Sequence, residues 1–553
     1  MKHTLRLEAI AFCAMILVAC QKDTVTNPVW QAICEATCTR GVECFPVDLD
    51  YGLCVSGCLG ELGGEPCEGN QTALDECVDG IGALSCTALD EGELPAVCDE
   101  VCTGPLCEGV DCDDENECTD DACVPSDGSC SNTPVPDWTP CSDGACQNGM
   151  CGSVFPCTEQ GLLDAVEVGG GPFTFACDGP TTIETNETVR ITKDVVLDGE
   201  GKLTIDGKDQ HLVVSVAGVT AELRNLTVTH GHVDMGGAGI DNRGTLTLRN
   251  ITVTENAYEF GGASGAIANS GTLTLSDSTI SENFGRGLFN AGTATIDRSI
   301  ISAHESRRNG YEIGNGAGIE NQEGAMLLVR DSTISNNVAE VDGGGLSNGG
   351  IATVISTTVS GNATFCGGGI ECGGGGVLNF IDAELTMINS TVSGNSAPDN
   401  GAGGIGNSGT LTLIHNTVAR NVGHEIEDGL FATNSSITFA GNVVEGSCRV
   451  SYGLSSKGHN LESPGDTCAF NDPSDQVSVP TVALNLGPLG DNGGPTLTHT
   501  PERPSDAIDV IDPGDCVDAD GLPLRVDQRG EPRPAGAESK CDVGSVEVQQ
   551  ATR

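Results

Sequence analysis

Glu255 and Glu282 close two copies of one phrase, TVTEN and TISEN, and so occupy equivalent places one repeat apart. On stacked strands about 4.8 Å apart, two outward carboxylates at those places either raise one another's pKa and attract a cation, or splay into water. A second constellation is the loop AHESRRNGYEIGNG. Its Arg307 and Arg308, beside Tyr311 and Glu312, would suit an acidic glycan; the plain alternative is an exposed basic loop. His230 and His232 in THGH stand two apart and offer a shared ligand pair, or surface decoration. Asp111, Asp113, Asp114, Asn116 and Glu117 crowd hard oxygen ligands into one short stretch, which is the donor set of calcium. The alternative there is a solvated acidic loop. No organic cofactor is expected; calcium is the one ion the sequence invites.

These residues must be positioned by something periodic. RGTLTLRNITVTEN (243–256), SGTLTLSDSTISEN (270–283) and SGTLTLIHNTVARN (408–421) are one phrase written three times. Leu273 and Leu275 alternate with Thr272 and Thr274, the pattern of a strand with one buried face. Val228, Val253, Ile280, Ile301, Ile334, Val359, Val392, Val418 and Val444 fall in register as one apolar column. Three short strands per repeat, such as GAGI, TLTL and ITVT, separated by glycine-rich turns, predict an all-β, right-handed parallel β-helix of the pectin-lyase-like solenoid type. Roughly ten rungs make it about 50 Å long. Open strand edges at its ends need covers. Leu162, Leu163 and Val166 in CTEQGLLDAVEVGGGPFTFAC form an amphipathic cap tied by Cys157 and Cys177, and the irregular stretch from 486 to 547 is expected to close the other end.

The acidic balance is extreme, with a formal net charge of -54, which excludes nucleic acid as a partner by repulsion. Between Gln21 and Cys157 only Lys22 and Arg40 are strong bases. The 28 cysteines, once Cys13 and Cys20 are set aside, fall into three even blocks: ten from Cys34 to Cys102, eight from Cys107 to Cys151, and eight more at Cys157, Cys177, Cys366, Cys372, Cys448, Cys468, Cys516 and Cys541. Even blocks imply self-contained disulfide modules and an oxidising compartment. The expected organisation is a leader (1–19), an anchor and linker (20–33), a cysteine-rich helical module (34–102), an acidic cysteine-rich repeat (107–151), the β-helix with its first cap (157–485) and a closing segment (486–547).

MKHTLR followed by AIAFCAMILVAC is an export signal, and Leu17-Val18-Ala19-Cys20 resembles the lipobox of bacterial lipoproteins. That resemblance implies acylation of Cys20 and a membrane partner through lipid, on the outer membrane or cell surface. Residues 107–151, with Cys-x4-Cys, Asp-x-Asn and Cys-Thr-x-Asp-x-Cys, resemble the slime-mould cysteine-rich repeat, which implies a disulfide-held fold and no particular activity. Asn492 to Thr496, Asp527 to Gly530 and Cys541 to Glu547 are similar to the tail motifs of choice-of-anchor Q surface proteins with β-helix repeats; Asp506 stands where that family has proline. The GGA-I and x-x-N repeats are also similar to polymorphic outer-membrane adhesins. The resemblances imply adhesion, binding of surface glycans or proteins, or an envelope-structural role.

The competing expectation is a polysaccharide lyase or glycoside hydrolase acting on acidic glycans. Paired aspartates with a histidine and an Arg-x-Lys pair, or calcium carboxylates with an arginine base, would support it, and neither set assembles in this sequence. Sugar clefts also favour aromatic platforms. Trp30 and Trp138 precede the β-helix, which holds only Tyr258, Tyr311 and Tyr452.

Overall fold

The computed structural model describes residues 111–549, apart from 115, 125–128, 136–139, 142–143, 148–149, 152–153, 234–235, 259–263, 307–315, 366–372, 399–400, 430–434, 451–452 and 537–539. Cys20, the 34–102 module, the Arg307, Arg308, Tyr311 and Glu312 loop, Cys366 and Cys372 therefore lie outside the described residues. The chain divides into units 1–152 and 153–553. In the first, Thr119–Cys123 pairs antiparallel with Cys130–Pro134, and Cys112 is bonded to Cys130.

The second unit is a parallel β-helix. Each rung contributes a strand to three faces, as in Gly236–Asn242, Thr245–Arg249 and Thr252–Thr254. Every strand pairs in parallel with its equivalent one rung on: Leu246 faces Leu273, Val253 faces Ile280, and Ile240 faces Ile267. The first of these faces is an 11-stranded sheet, one more rung than the sequence estimate. The predicted apolar column from Val228 to Val444 is buried throughout. Each such side chain contributes about 1.5–3 kcal/mol only when a neighbouring rung covers it, which is why the phrase recurs.

Polar ladders run beside the apolar core. Asn242, Asn269, Asn290, Asn321, Asn348, Asn379 and Asn407 each donate from Nδ2 to Oδ1 of the next, the last to Asp428, at 2.7–2.8 Å. A second ladder starts Asn256 to Asn283, passes His304, continues through Asn337, Asn362, Asn395 and Asn421, and ends on Glu425. In a third, backbone N–H groups donate to the side-chain oxygens of Ser299, Ser332, Thr357, Ser390, Asn416, Asn442 and Asn460 in turn, ending on Asp475. All three donate toward the C-terminal end. A carboxyl group, whose two oxygens can both accept, is the chemistry that terminates such a chain. His304 is buried, and burial pushes its pKa down to about 4, so it sits in its ladder neutral. Asn348→Ala, which strands Asn321 and Asn379 inside the wall, is expected to cost about 2–4 kcal/mol in denaturant unfolding.

The glycine of the repeated phrase has one reason. A Cβ on Gly271 would lie 2.0 Å from the Gly244 carbonyl oxygen, and one on Gly350 would lie 2.3 Å from that of Ala325. A two-residue turn packed that closely on the rung before it admits no side chain there.

Helix Glu159–Val168, N-capped by Thr158, covers the first rung with Leu162, Ala165 and Val166 buried; Leu163 is half-buried. The Cys157–Cys177 bond is present, as are Cys448–Cys468 and Cys516–Cys541. At the other end the closure differs from expectation. Phe470, edge-on to Phe439, and the Cys448–Cys468 bond plug the last rungs. The segment from 486 to 547 instead lies along the side of the solenoid, sharing an apolar cluster with Ala419, Val443 and Leu461. Its motif residues lack the strand alternation needed to continue a rung, and they carry the polar groups that dock it.

Candidate functional site

The sequence candidates Glu255, Glu282 and His230 lie on the edge of one face, built by the three-residue strands. Two positions bracket each of these strands, and both adopt the left-handed backbone conformation: Asn250, Asp277, Arg298, Asp331, Ser356, Asn389 and His415 on one side; His230, Glu255, Glu282, Ala303, Asn336, Gly361, Gly394 and Arg420 on the other, with φ from 44° to 66°. Glycine, asparagine and aspartate take that conformation most readily. The polar column seen in sequence is thus first a backbone requirement, which strand periodicity does not reveal.

Between these columns stand the outward hydroxyls. In rungs 356–361, 389–394 and 415–420 they are buried under the tail. Thr391 Oγ1 donates to Gln528 Oε1 (2.6 Å), and Gln528 Nε2 donates to Thr358 Oγ1 and Thr496 Oγ1 (2.9 Å each). Ser545 Oγ lies 3.0 Å from Thr391 Oγ1 and 3.1 Å from that of Thr417. Ser393 Oγ is 2.8 Å from His499 Nε2, while His499 Nδ1 donates to the Gly487 carbonyl. Burial holds the His499 pKa down to about 4, so the ring is neutral and Nε2 accepts from Ser393. Arg533 donates to Asn389 Oδ1 (3.0 Å) and to the Gly544 carbonyl (2.8 Å).

In the rungs before these the same positions are open, except that Thr229 is buried and that exposed Ile300 replaces one hydroxyl. Thr227, Thr252, Thr254, Thr279, Ser281, Ser302, Thr333 and Ser335 are half-exposed. The open half also carries its charges at left-handed positions, His230, Glu255, Glu282 and Arg298, where glycine would avoid a cost of about 1–3 kcal/mol each. The covered half has Gly361 and Gly394 instead; its Arg420 there binds the tail at the Leu486 carbonyl.

Glu255 does not pair with Glu282. Its Oε2 turns back one rung to within 3.7 Å of His230 Nε2, while His230 Nδ1 is 3.0 Å from Asp206 Oδ2. The hydrogen bond to Asp206, with the nearby charges of Asp209 and Glu255, raises the His230 pKa against partial burial. A carboxylate–imidazole–carboxylate row, spread over three rungs, therefore lies at the edge of the open face. On the other edge Arg298 grips Asp277 with two bonds, at 2.7 and 2.8 Å. Sequence spacing placed Glu255 and Glu282 one rung apart and could not show that His230 claims one of them.

The acidic loop of the first unit spends its oxygens locally. Asp114 accepts from Asn116 N, Thr119 Oγ1 and Asn132 Nδ2; the Asn116 backbone bond holds its pKa down. Asp111 accepts from Asp113 N, and Asn116 from Cys118 N. Among the described residues, no three acids, histidines or cysteines, Asp113 and Glu117 included, gather around one cation position.

The right-handed β-helix region family model matches residues 195–364, which include the open face. No curated protein matches the chain. Among solved structures, the pectate lyase Pel9A is similar over 70% of this chain and 90% of its own, at 12% identity and a TM-score of 0.36. The chain contains a right-handed parallel β-helix.

Proposed function

We propose that this is an exported, lipid-anchored surface protein, acylated at Cys20, whose β-helix presents the open hydroxyl face to a surface glycan or protein in adhesion or envelope assembly. One observation carries the reading. The same face, over the next three rungs, already holds a polypeptide segment through its threonine and serine hydroxyls, so it is a binding surface by its own example. The charged residues kept at strained positions on the open half have no tail to serve. The resemblance of the tail to choice-of-anchor Q proteins belongs to the same reading.

The second reading, a lyase or hydrolase of acidic glycans, draws on the Asp206, His230 and Glu255 row, where a raised imidazole pKa favours the protonated acid form. One experiment separates the two. The full chain in detergent is offered acidic and neutral polysaccharides with calcium, recording binding, new reducing ends and unsaturated uronate absorbance. Binding without turnover is expected, weakened about tenfold by Thr252→Val with Thr279→Val at unchanged melting temperature. Turnover abolished by His230→Ala would replace adhesion with catalysis.

A further inference from the structure

A cleft of about 560 Å³ opens on a different face, outside the asparagine-bearing sheet. Turn lengths create it. Gln322 to Ala325 separate Asn321 from Met326, and Phe380 to Ala383 separate Asn379 from Glu384, whereas only Gly349 and Gly350 separate Asn348 from Ile351. The short glycine turn is the floor, and the longer turns on the adjoining rungs are the walls.

The chemistry of the lining is one-sided. Glu320 is neutralised by Arg286, with which it forms a buried ion pair, and also accepts from Gln322 Nε2. That leaves Glu323, Asp382 and Glu384, none with an ion pair or side-chain hydrogen bond among the described residues, beside Phe380, Ile381 and Ile351. Among the described residues, no lysine or arginine lines the cleft. Ser347 stands in its wall; it is 1% exposed, yet its Oγ has no hydrogen-bond partner. A buried hydroxyl left without a partner is destabilising, and a ligand hydroxyl reaching it would relieve that.

The geometry points to a binding site for an amine-bearing saccharide, its ammonium groups on Glu323, Asp382 and Glu384 and a hydroxyl on Ser347 Oγ. Acidic glycans are repelled. The carboxylates do not converge on one point, so a single metal ion does not span them, whereas a sugar with several amines does. An extended peptide finds no edge to join, because Ile319–Asn321 and Leu346–Asn348 are paired with neighbours on both sides. This site is separate from the hydroxyl face, and its test is independent of the one above.

Calorimetric titration of the full chain in detergent with a β-1,4-linked glucosamine tetrasaccharide is expected to show saturable binding. The fully N-acetylated tetrasaccharide and the Glu323→Gln, Asp382→Asn, Glu384→Gln triple variant each weaken it about tenfold or more. Ser347→Ala weakens it about threefold, with a melting temperature no lower than the parent's. No binding of the glucosamine tetrasaccharide overturns the proposal. So does binding that ignores the triple variant or Ser347→Ala, or equal binding of tetralysine, which would mean that any polycation suffices.

Discussion

Replacing Arg533 with alanine is expected to lower unfolding free energy by about 3–5 kcal/mol and to release the segment from 486 to 547 from the side of the β-helix. Arg533 is 3% exposed. It joins three things at once: the wall at Asn389, the tail backbone at Gly544 and the carboxylate of Glu547 at 3.4 Å. Without it Glu547, which also accepts from Ala535 N and Asp542 N, is a buried charge lacking its counterion. Burial already pushes Glu547 up to about 7, so the loss should be smaller at pH 5, where it is protonated, than at pH 9. Denaturant unfolding at the two pH values measures this, and limited proteolysis reads out tail release. A variant whose tail stays protected at both would show that the Gln528 and Ser545 contacts suffice to hold the tail.

The largest pH effect is expected from Glu425, the terminus of the second ladder. It is 2% exposed and accepts from both Asn421 N and Nδ2. Burial outweighs those bonds and raises its pKa from 4.5 to about 8. For a carboxyl whose folded pKa lies above its unfolded value, the stabilising contribution is complete below the unfolded pKa. It declines as pH rises and is gone above the folded pKa. The window is therefore about pH 4.5 to 8, with a span on the order of 5 kcal/mol. Glu547 and Asp342, also raised by burial, slope in the same direction, so the comparison with Glu425→Gln isolates this residue. The amide loses one acceptor, so the variant should be about 1 kcal/mol less stable than the parent at pH 4 and more stable at pH 9. Parallel curves with no crossing would remove Glu425 as the titrating group.

The solenoid was legible in the sequence because its determinants are local and repeated. Alternating leucines, a column of Val and Ile, and a glycine at each tight turn describe one rung, and stacking copies them. The ladder asparagines were visible as letters but not as a mechanism, since their partners lie a full rung away. The open face was half legible. Spacing put Glu255 and Glu282 one rung apart, yet the turn of Glu255 toward His230 depends on Asp206 holding the imidazole from the rung before. The docking of the tail was not legible. Gln528 meets Thr358 and Thr391 across more than a hundred residues of chain, and no periodicity encodes that encounter.

The single direction of the three ladders sets which changes of length the chain tolerates. In the first ladder every rung from Asn269 to Asn379 accepts from one neighbour and donates to the other through the same atoms, so these rungs, apart from the one whose His304 interrupts the second ladder, are interchangeable parts. A gene encoding them can gain or lose a whole unit without stranding a donor. The units bearing Glu425, Asp428 and Asp475 are not interchangeable in this way, because each ends a series, and a copy inserted after them would find nothing offered to it. Growth of such a wall is confined to its middle.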